Sequence, residues 1–111
     1  MVNWVIMQDA ATATGNGTPV TCTSHADGAW TDLVMQVVIS DTATVTFEAT
    51  VDGSTWHALN VVDLEDGTDA TTASASGIFR ANVRGLTQVR AKVSALTSGT
   101  VDVVGQLVAT C

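Results

Sequence analysis

Thr44-Val45-Thr46-Phe47-Glu48-Ala49-Thr50-Val51-Asp52-Gly53 is the stretch that decides the fold. Val45, Phe47, Ala49 and Val51 alternate with Thr44, Thr46, Glu48 and Thr50, the period of two that turns one set of side chains inward and the other to water. Asp52-Gly53 then supplies the positive φ a tight turn requires, so the strand should fold back as a hairpin. Residues 55–62 are expected to be its partner. Trp56, just past the turn, is expected in the core, where truncation to alanine would cost about 3–5 kcal/mol.

Similar patterns flank this hairpin. Leu33, Met35, Val37 and Ile39 alternate with Gln36 and Ser40, yet Val34 and Val38 on the other parity cover the second face as well, as in a central or interface strand. Residues 18–23 include Pro19, the single proline, and form a short strand that starts at a position where a missing N–H is tolerated. Residues 78–83, 88–95 and 100–108 complete the set, separated by Gly85-Leu86 and Thr97-Ser98-Gly99. Residues 63–76 turn acidic and then rich in Ala, Thr and Ser, a long surface loop with at most a short strand.

Composition agrees with this reading. Seventeen Val and eighteen Thr stand against six Leu, three Ile and one Lys, and β-branched side chains pack well on a pleated sheet while losing rotamer freedom on a helix. At 111 residues, 46% hydrophobic and 14% charged, the chain fits one globular domain. The expected architecture is all-β: a single antiparallel β-sandwich of about seven to eight strands, immunoglobulin-like or jelly-roll-like, over residues 18–111. An extended N-terminal arm and linker over residues 1–17 precede it.

That arm, Met1-Val2-Asn3-Trp4-Val5-Ile6-Met7, is apolar and tethered by a polar linker. It is far shorter than the ~20 residues of a membrane span and lacks the basic start and cleavage pattern of a secretory signal, so a soluble cytosolic product is expected. Its strand either packs on its own sheet or is donated to a partner's open edge, which would bury Trp4 and Ile6.

Four basic residues against eleven acidic ones give a net charge of −7, which excludes general attraction to nucleic acid or anionic membrane. The four cations all lie between Arg80 and Lys92. Arg80 and Arg84 share one parity, opposite Phe79, Ala81 and Val83; Arg90 and Lys92 share another, opposite Val89, Ala91 and Val93. If the two strands pair, the four make one cationic stripe, either solvated and paired with Glu48 and nearby Asp residues or used to dock an acidic partner.

No reactive constellation stands out. Cys22 and Cys111 lack metal or redox spacing and are expected as free thiols, with a bridge between them, or an intermolecular bond through Cys111, possible only outside the cell. His25 and His57 lie in no nucleophile or zinc motif, and Asp63, Glu65, Asp66 and Asp69 do not follow the calcium-loop order. Neither a metal, a cofactor nor an enzymatic activity is expected.

Phe47-Glu48-Ala49-Thr50-Val51-Asp52-Gly53-Ser54-Thr55-Trp56, followed by Ala58-Leu59-Asn60, resembles a group of small all-β virion proteins of tailed bacteriophages. Ser76-Gly77-Ile78-Phe79-Arg80-Ala81-Asn82-Val83-Arg84-Gly85-Leu86, Val89-Arg90-Ala91-Lys92-Val93 and Ser98-Gly99-Thr100-Val101 extend the likeness over residues 32–108. The resemblance implies a structural part of a virion, assembled in the host cytoplasm. Within that group, size and charge fit a capsid decoration, or cement, protein on the head exterior that bridges major capsid protein subunits in many copies. It would be a homo-oligomer, dimer or trimer, docking through Trp4, Ile6, Arg80, Arg84, Arg90 and Lys92. The alternatives are a tail or fibre domain that reads a host glycan, with Trp30 beside Asp27 and Asp32 as its aromatic, although a core or interface position is the plainer reading of Trp30, and a tail-tube or connector subunit.

Overall fold

Valine and threonine build two antiparallel sheets and no helix among the residues that the computed structural model describes, 2–23 and 30–109. In chain order the strands are β1 (Val2–Ala11), β2 (Val20–Thr21), β3 (Trp30–Ile39), β4 (Thr42–Thr50), β5 (His57–Ala58), β6 (Val61–Asp63), β7 (Asp69–Ala70), β8 (Thr72–Ala73), β9 (Gly77–Asn82), β10 (Gln88–Ser98) and β11 (Val101–Ala109). One sheet runs β1-β11-β3-β9-β6-β7; the other runs β2-β10-β4-β5, with β8 also pairing β4. The molecule is a β-sandwich. Seven of these strands have three residues or more, and the remaining four are two-residue pairings.

The inward parity read from the sequence fills the core. Leu33, Met35 and Val37 from β3, Phe79 and Ala81 from β9, and Val101, Val103 and Leu107 from β11 face Val45 and Phe47 from β4 and Val89, Ala91 and Val93 from β10, all buried. The Phe47 and Phe79 rings meet between the sheets with centroids 5.3 Å apart at 47°, a tilted contact that aromatic pairs favour.

Two corners carry the chain between sheets side by side. Ser40-Asp41 links β3 to β4, and Gly99-Thr100 links β10 to β11. Ser40 N–H donates to the Thr100 carbonyl (3.0 Å), Thr100 N–H donates to Ser40 Oγ (2.7 Å), and Ser98 Oγ donates to Asp41 Oδ2 (2.6 Å). Gly99, at φ 86°, takes a backbone turn that a side chain would strain.

Three local expectations need correction. The partner strand 55–62 breaks in two: His57 and Ala58 pair β4, whereas Val61–Asp63 has crossed to the other sheet beside β9. Two short strands, β7 and β8, interrupt the acidic loop. Trp56 is outside the core, half-buried on the outer face of the five-stranded sheet. The hairpin explains its position, because residue 56 shares the outward parity of Ala58, which is paired with outward Glu48.

Residues 2–11, read as part of an arm, are a strand laid along β11 from Val2↔Val108 to Ala11↔Val101. Met7 and Gln8 are both buried at a register shift, one of two in this ladder. Gly105 on β11 makes this possible: a Cβ there would come within 2.8 Å of Met7 Sδ. Gln8 reaches across the sandwich, its Nε2 donating to the Ala91 carbonyl on β10 at 2.8 Å and to the Gly15 carbonyl at 3.2 Å. Thr18 N–H donates to the Met7 carbonyl (2.9 Å), and Ala10 N–H donates to Asp102 Oδ1 (2.7 Å). The strand is thereby tied at its far end.

Candidate functional site

The outer surfaces of the two sheets differ in chemistry. Strand register places outward side chains of the six-stranded sheet in rows: Trp4, Gln106, Val34, Arg80 and Val62 in one; Ile6, Val104, Gln36 and Ile78 in the next; Asp102 and Val38 beyond. Trp4 is 62% exposed, Ile6 47%, Ile78 46% and Val38 42%, the main exposed apolar residues on any strand among those described. On the five-stranded sheet the outward rows read Thr21, Gln88 and Thr50, then Arg90, Glu48 and Ala58, then Lys92, Thr46 and Thr72. One side carries apolar side chains on four strands, with Gln106, Gln36, Arg80 and Asp102 set among them; the other is threonine, amide and charge. Exposed apolar side chains gathered on one face are among the features found at contact surfaces.

The six residues expected to bind a partner divide between these surfaces. Trp4, Ile6 and Arg80 share the apolar face. Arg84 is exposed in the turn after β9, where its N–H donates to Asn82 Oδ1 (3.0 Å). Arg90 and Lys92 point out from the opposite sheet. The cationic stripe does not form as one surface, because β9 and β10 belong to different sheets and never pair. Parity gave each cation its outward direction but could not say which sheet it leaves.

Arg90 also has local partners. Its Nε donates to Glu48 Oε1 at 2.8 Å, across the register pair of β10 and β4, and its guanidinium lies 4.1 Å from the Trp56 ring centroid. The ring covers a paired cation, a contact of about 0.5–2 kcal/mol. Trp30 is buried in the core at 6% exposure, so it does not offer a ring to a glycan; Asp27 lies outside the described residues.

The other chemistry-bearing residues are accounted for locally. Asp52 Oδ1 accepts from Ser54 N–H and Thr55 N–H at 2.8 Å each and from Thr50 Oγ1 at 3.0 Å. These bonds hold its carboxyl down to about 2, the backbone donors foremost. Asp66 Oδ1 accepts from Thr68 Oγ1 (2.7 Å) and Thr68 N–H (3.0 Å), which lowers that carboxyl as well. Asp63 caps Glu65 N–H at 2.9 Å. Two carboxylates of the acidic loop, Asp63 and Asp66, thus brace its own turns, and no described cluster of His, Cys, Asp or Glu has the arrangement of a metal site. Burial pushes the Cys22 thiol up to about 11. Cys111 and His25 lie outside the described residues. His57 is exposed at the rim of an open cleft of about 470 Å³ between the β4–β5 hairpin and Leu86.

The apolar face was partly legible. Val34 and Val38 fall off the inward parity of β3, a signal read as a central or interface strand, and β3 is central, flanked by β11 and β9. Val104 and Ile78 join them only once β11 and β9 are known to flank β3.

A family model described as XepA matches residues 2–107. The fold is similar to the crystal structure of SPBc2 prophage-derived protein YomS, at a TM-score of 0.88 and 19% identity, covering 98% of this chain and 94% of that one. It is also similar to that of PBSX exported protein XepA, at a TM-score of 0.89 and 15% identity over 98% of this chain. Only 38% of that longer chain is covered. No curated protein sequence matches.

Proposed function

Because the chain belongs to the XepA family, whose model spans residues 2–107, we propose that it is a non-enzymatic phage protein that works by adhesion. Its docking surface is the outer face of the six-stranded sheet. The supporting observation is the row structure of that face, where Trp4, Ile6, Val34, Val38, Val104 and Ile78 stand outward across four adjacent strands. Burying such a surface contributes about 25 cal/mol per Å² of apolar area, and many copies multiply a weak contact into firm attachment. The finer reading is a decoration protein on the head exterior, contacting the major capsid protein. A net charge of −7 keeps such a protein off packaged DNA and leaves it on the outside.

The test is retention on purified particles. Wild-type protein should pellet with phage heads in many copies, and Val38→Lys with Ile78→Lys should pellet at a level at least tenfold lower. Particles that carry no copy of the protein would overturn the head assignment. A second reading is favoured by the name of one similar structure, an exported protein: the protein acts after leaving the host, free of particles. Induced cultures separate the two, since that reading expects the protein in the supernatant after every particle has been sedimented.

A further inference from the structure

The inner side of the β4–β5 hairpin is not closed by the core along its whole length. Ala49 pairs His57 on the inward parity of β4, and Val51 continues that parity past the end of the strand. Leu59 follows, its N–H donating to the Phe47 carbonyl at 2.8 Å. The chain then crosses to the other sheet at Val61. Facing the hairpin stands Leu86, from the turn between β9 and β10. Leu59 and Leu86 are only partly buried against the core, and Val51 is 68% exposed.

The result is the open cleft of about 470 Å³, inside the range of about 300–1,000 Å³ common to ligand sites. Its walls are aliphatic, and the carboxylate among its described lining residues is Asp52. None of the chain's four Lys and Arg residues lines it. Asp52 is kept ionised by its turn, whose bonds from Ser54 N–H, Thr55 N–H and Thr50 Oγ1 all fall on Oδ1 and hold the carboxyl down to about 2. Oδ2 takes none of these three bonds and keeps acceptor capacity.

Ligand chemistry follows from this pairing of an apolar wall with a negative charge. An anion would meet Asp52 with no basic side chain beside it to offset the repulsion. An alkyl chain that ends in a cation satisfies both parts, and lysine carries the two on one side chain. An ammonium is a compact point charge that needs one acceptor oxygen, whereas a guanidinium fork is matched by two, and Oδ1 is already engaged. The whole chain acts in the same direction, since a net charge of −7 draws basic partners.

We propose that this cleft is a docking site for a lysine side chain of a partner protein, with the stem along Val51, Leu59 and Leu86 and the ammonium at Asp52. The site lies apart from the outer face of the six-stranded sheet and does not depend on the role of that face.

Amide proton–nitrogen correlation spectra of the full chain, titrated with Nα-acetyl-lysine methylamide at millimolar concentrations, read the site directly. The expected result is saturable shifts confined to residues 49–59 and Leu86. The norleucine counterpart has the stem without the charge and should bind at least about threefold more weakly, the scale of a solvated ion pair. Asp52→Asn keeps an oxygen for the turn and removes the charge, so that preference should vanish. Val51→Lys, at an exposed position, tethers an ammonium at the cleft and should abolish saturation while keeping the wild-type melting curve. Shifts spread equally over Asp63, Asp66 and Asp69 would mark a general attraction of cations to an acidic body and overturn the proposal. Equal binding of the two compounds, a preference that survives Asp52→Asn, or no saturable shift overturns it as well. Particle retention reads the other surface, so either result stands whatever the other shows.

Discussion

Gln8 joins the two sheets through a single amide. Its Nε2 hydrogens go to the Ala91 and Gly15 carbonyls, and the side chain is 7% exposed. Gln8→Leu would keep much of the shape and leave both carbonyls without this donor, so urea denaturation should show a loss of about 1–3 kcal/mol. Asp52 gives a prediction in pH. Its folded pKa is about 2 against about 3.9 for a free aspartate. The turn therefore gains its carboxylate bonds fully above about pH 4 and loses them as pH falls towards 2. The amide proton shifts of Ser54 and Thr55 should titrate with a midpoint near the lower value; a midpoint near 4 would mean that the three bonds are not formed. Asp52-Gly53 was legible as a turn because the pair carries its own chemistry. Gln8 was not, since a polar residue on an apolar arm shows no partner until β10 lies beside it.

At the scale of elements, β1 is where composition misleads. An apolar arm followed by a polar linker could leave the domain or stay, and the sequence pattern is the same in both cases. The structure holds it through Met7, 1% exposed in the space that Gly105 leaves open. Gly105→Val should expel Met7 and loosen β1, costing about 2–5 kcal/mol, the range for lost methionine packing. Chemical denaturation measures the cost, and faster amide exchange confined to β1 and β11 locates it. Removing residues 1–8 takes Met7 and Gln8 away as well, so it probes folding rather than docking; exposed Trp4 and Ile6 are the positions at which docking is read. The β4–β5 hairpin shows the opposite case. Alternation and Asp-Gly placed it by local rules, but the partner strand ends after Ala58 because the chain must cross to reach β9.

For the whole molecule, the proposed function rests on the difference between the two outer faces. Val38→Lys and Ile78→Lys should leave stability within about 0.5 kcal/mol, the usual limit for surface changes, because both side chains already stand in solvent. A calorimetric melt should therefore overlay that of the wild type even where particle retention is lost. A large drop in melting temperature would instead place these residues in the folding core. The acidic balance acts at the same scale. It disfavours contact with other acidic surfaces, and across β1, β11, β3 and β9 the outward rows from Trp4 to Val38 carry one acid, Asp102, and one base, Arg80.

Alternation with a period of two, turn chemistry and β-branched bulk fixed which segments are strands and which side chains face inward, because these depend on neighbours in sequence. Assignment of each strand to a sheet depended on pairings between distant segments. That long-range pairing sent Arg80 and Arg90 to opposite sides, lifted Trp56 out of the core onto Arg90, buried Trp30, and gathered Val34, Val104, Ile78 and Ile6 into one surface. A strand's parity is a local property, whereas its sheet is decided by which backbone hydrogen bonds the whole chain can satisfy at once.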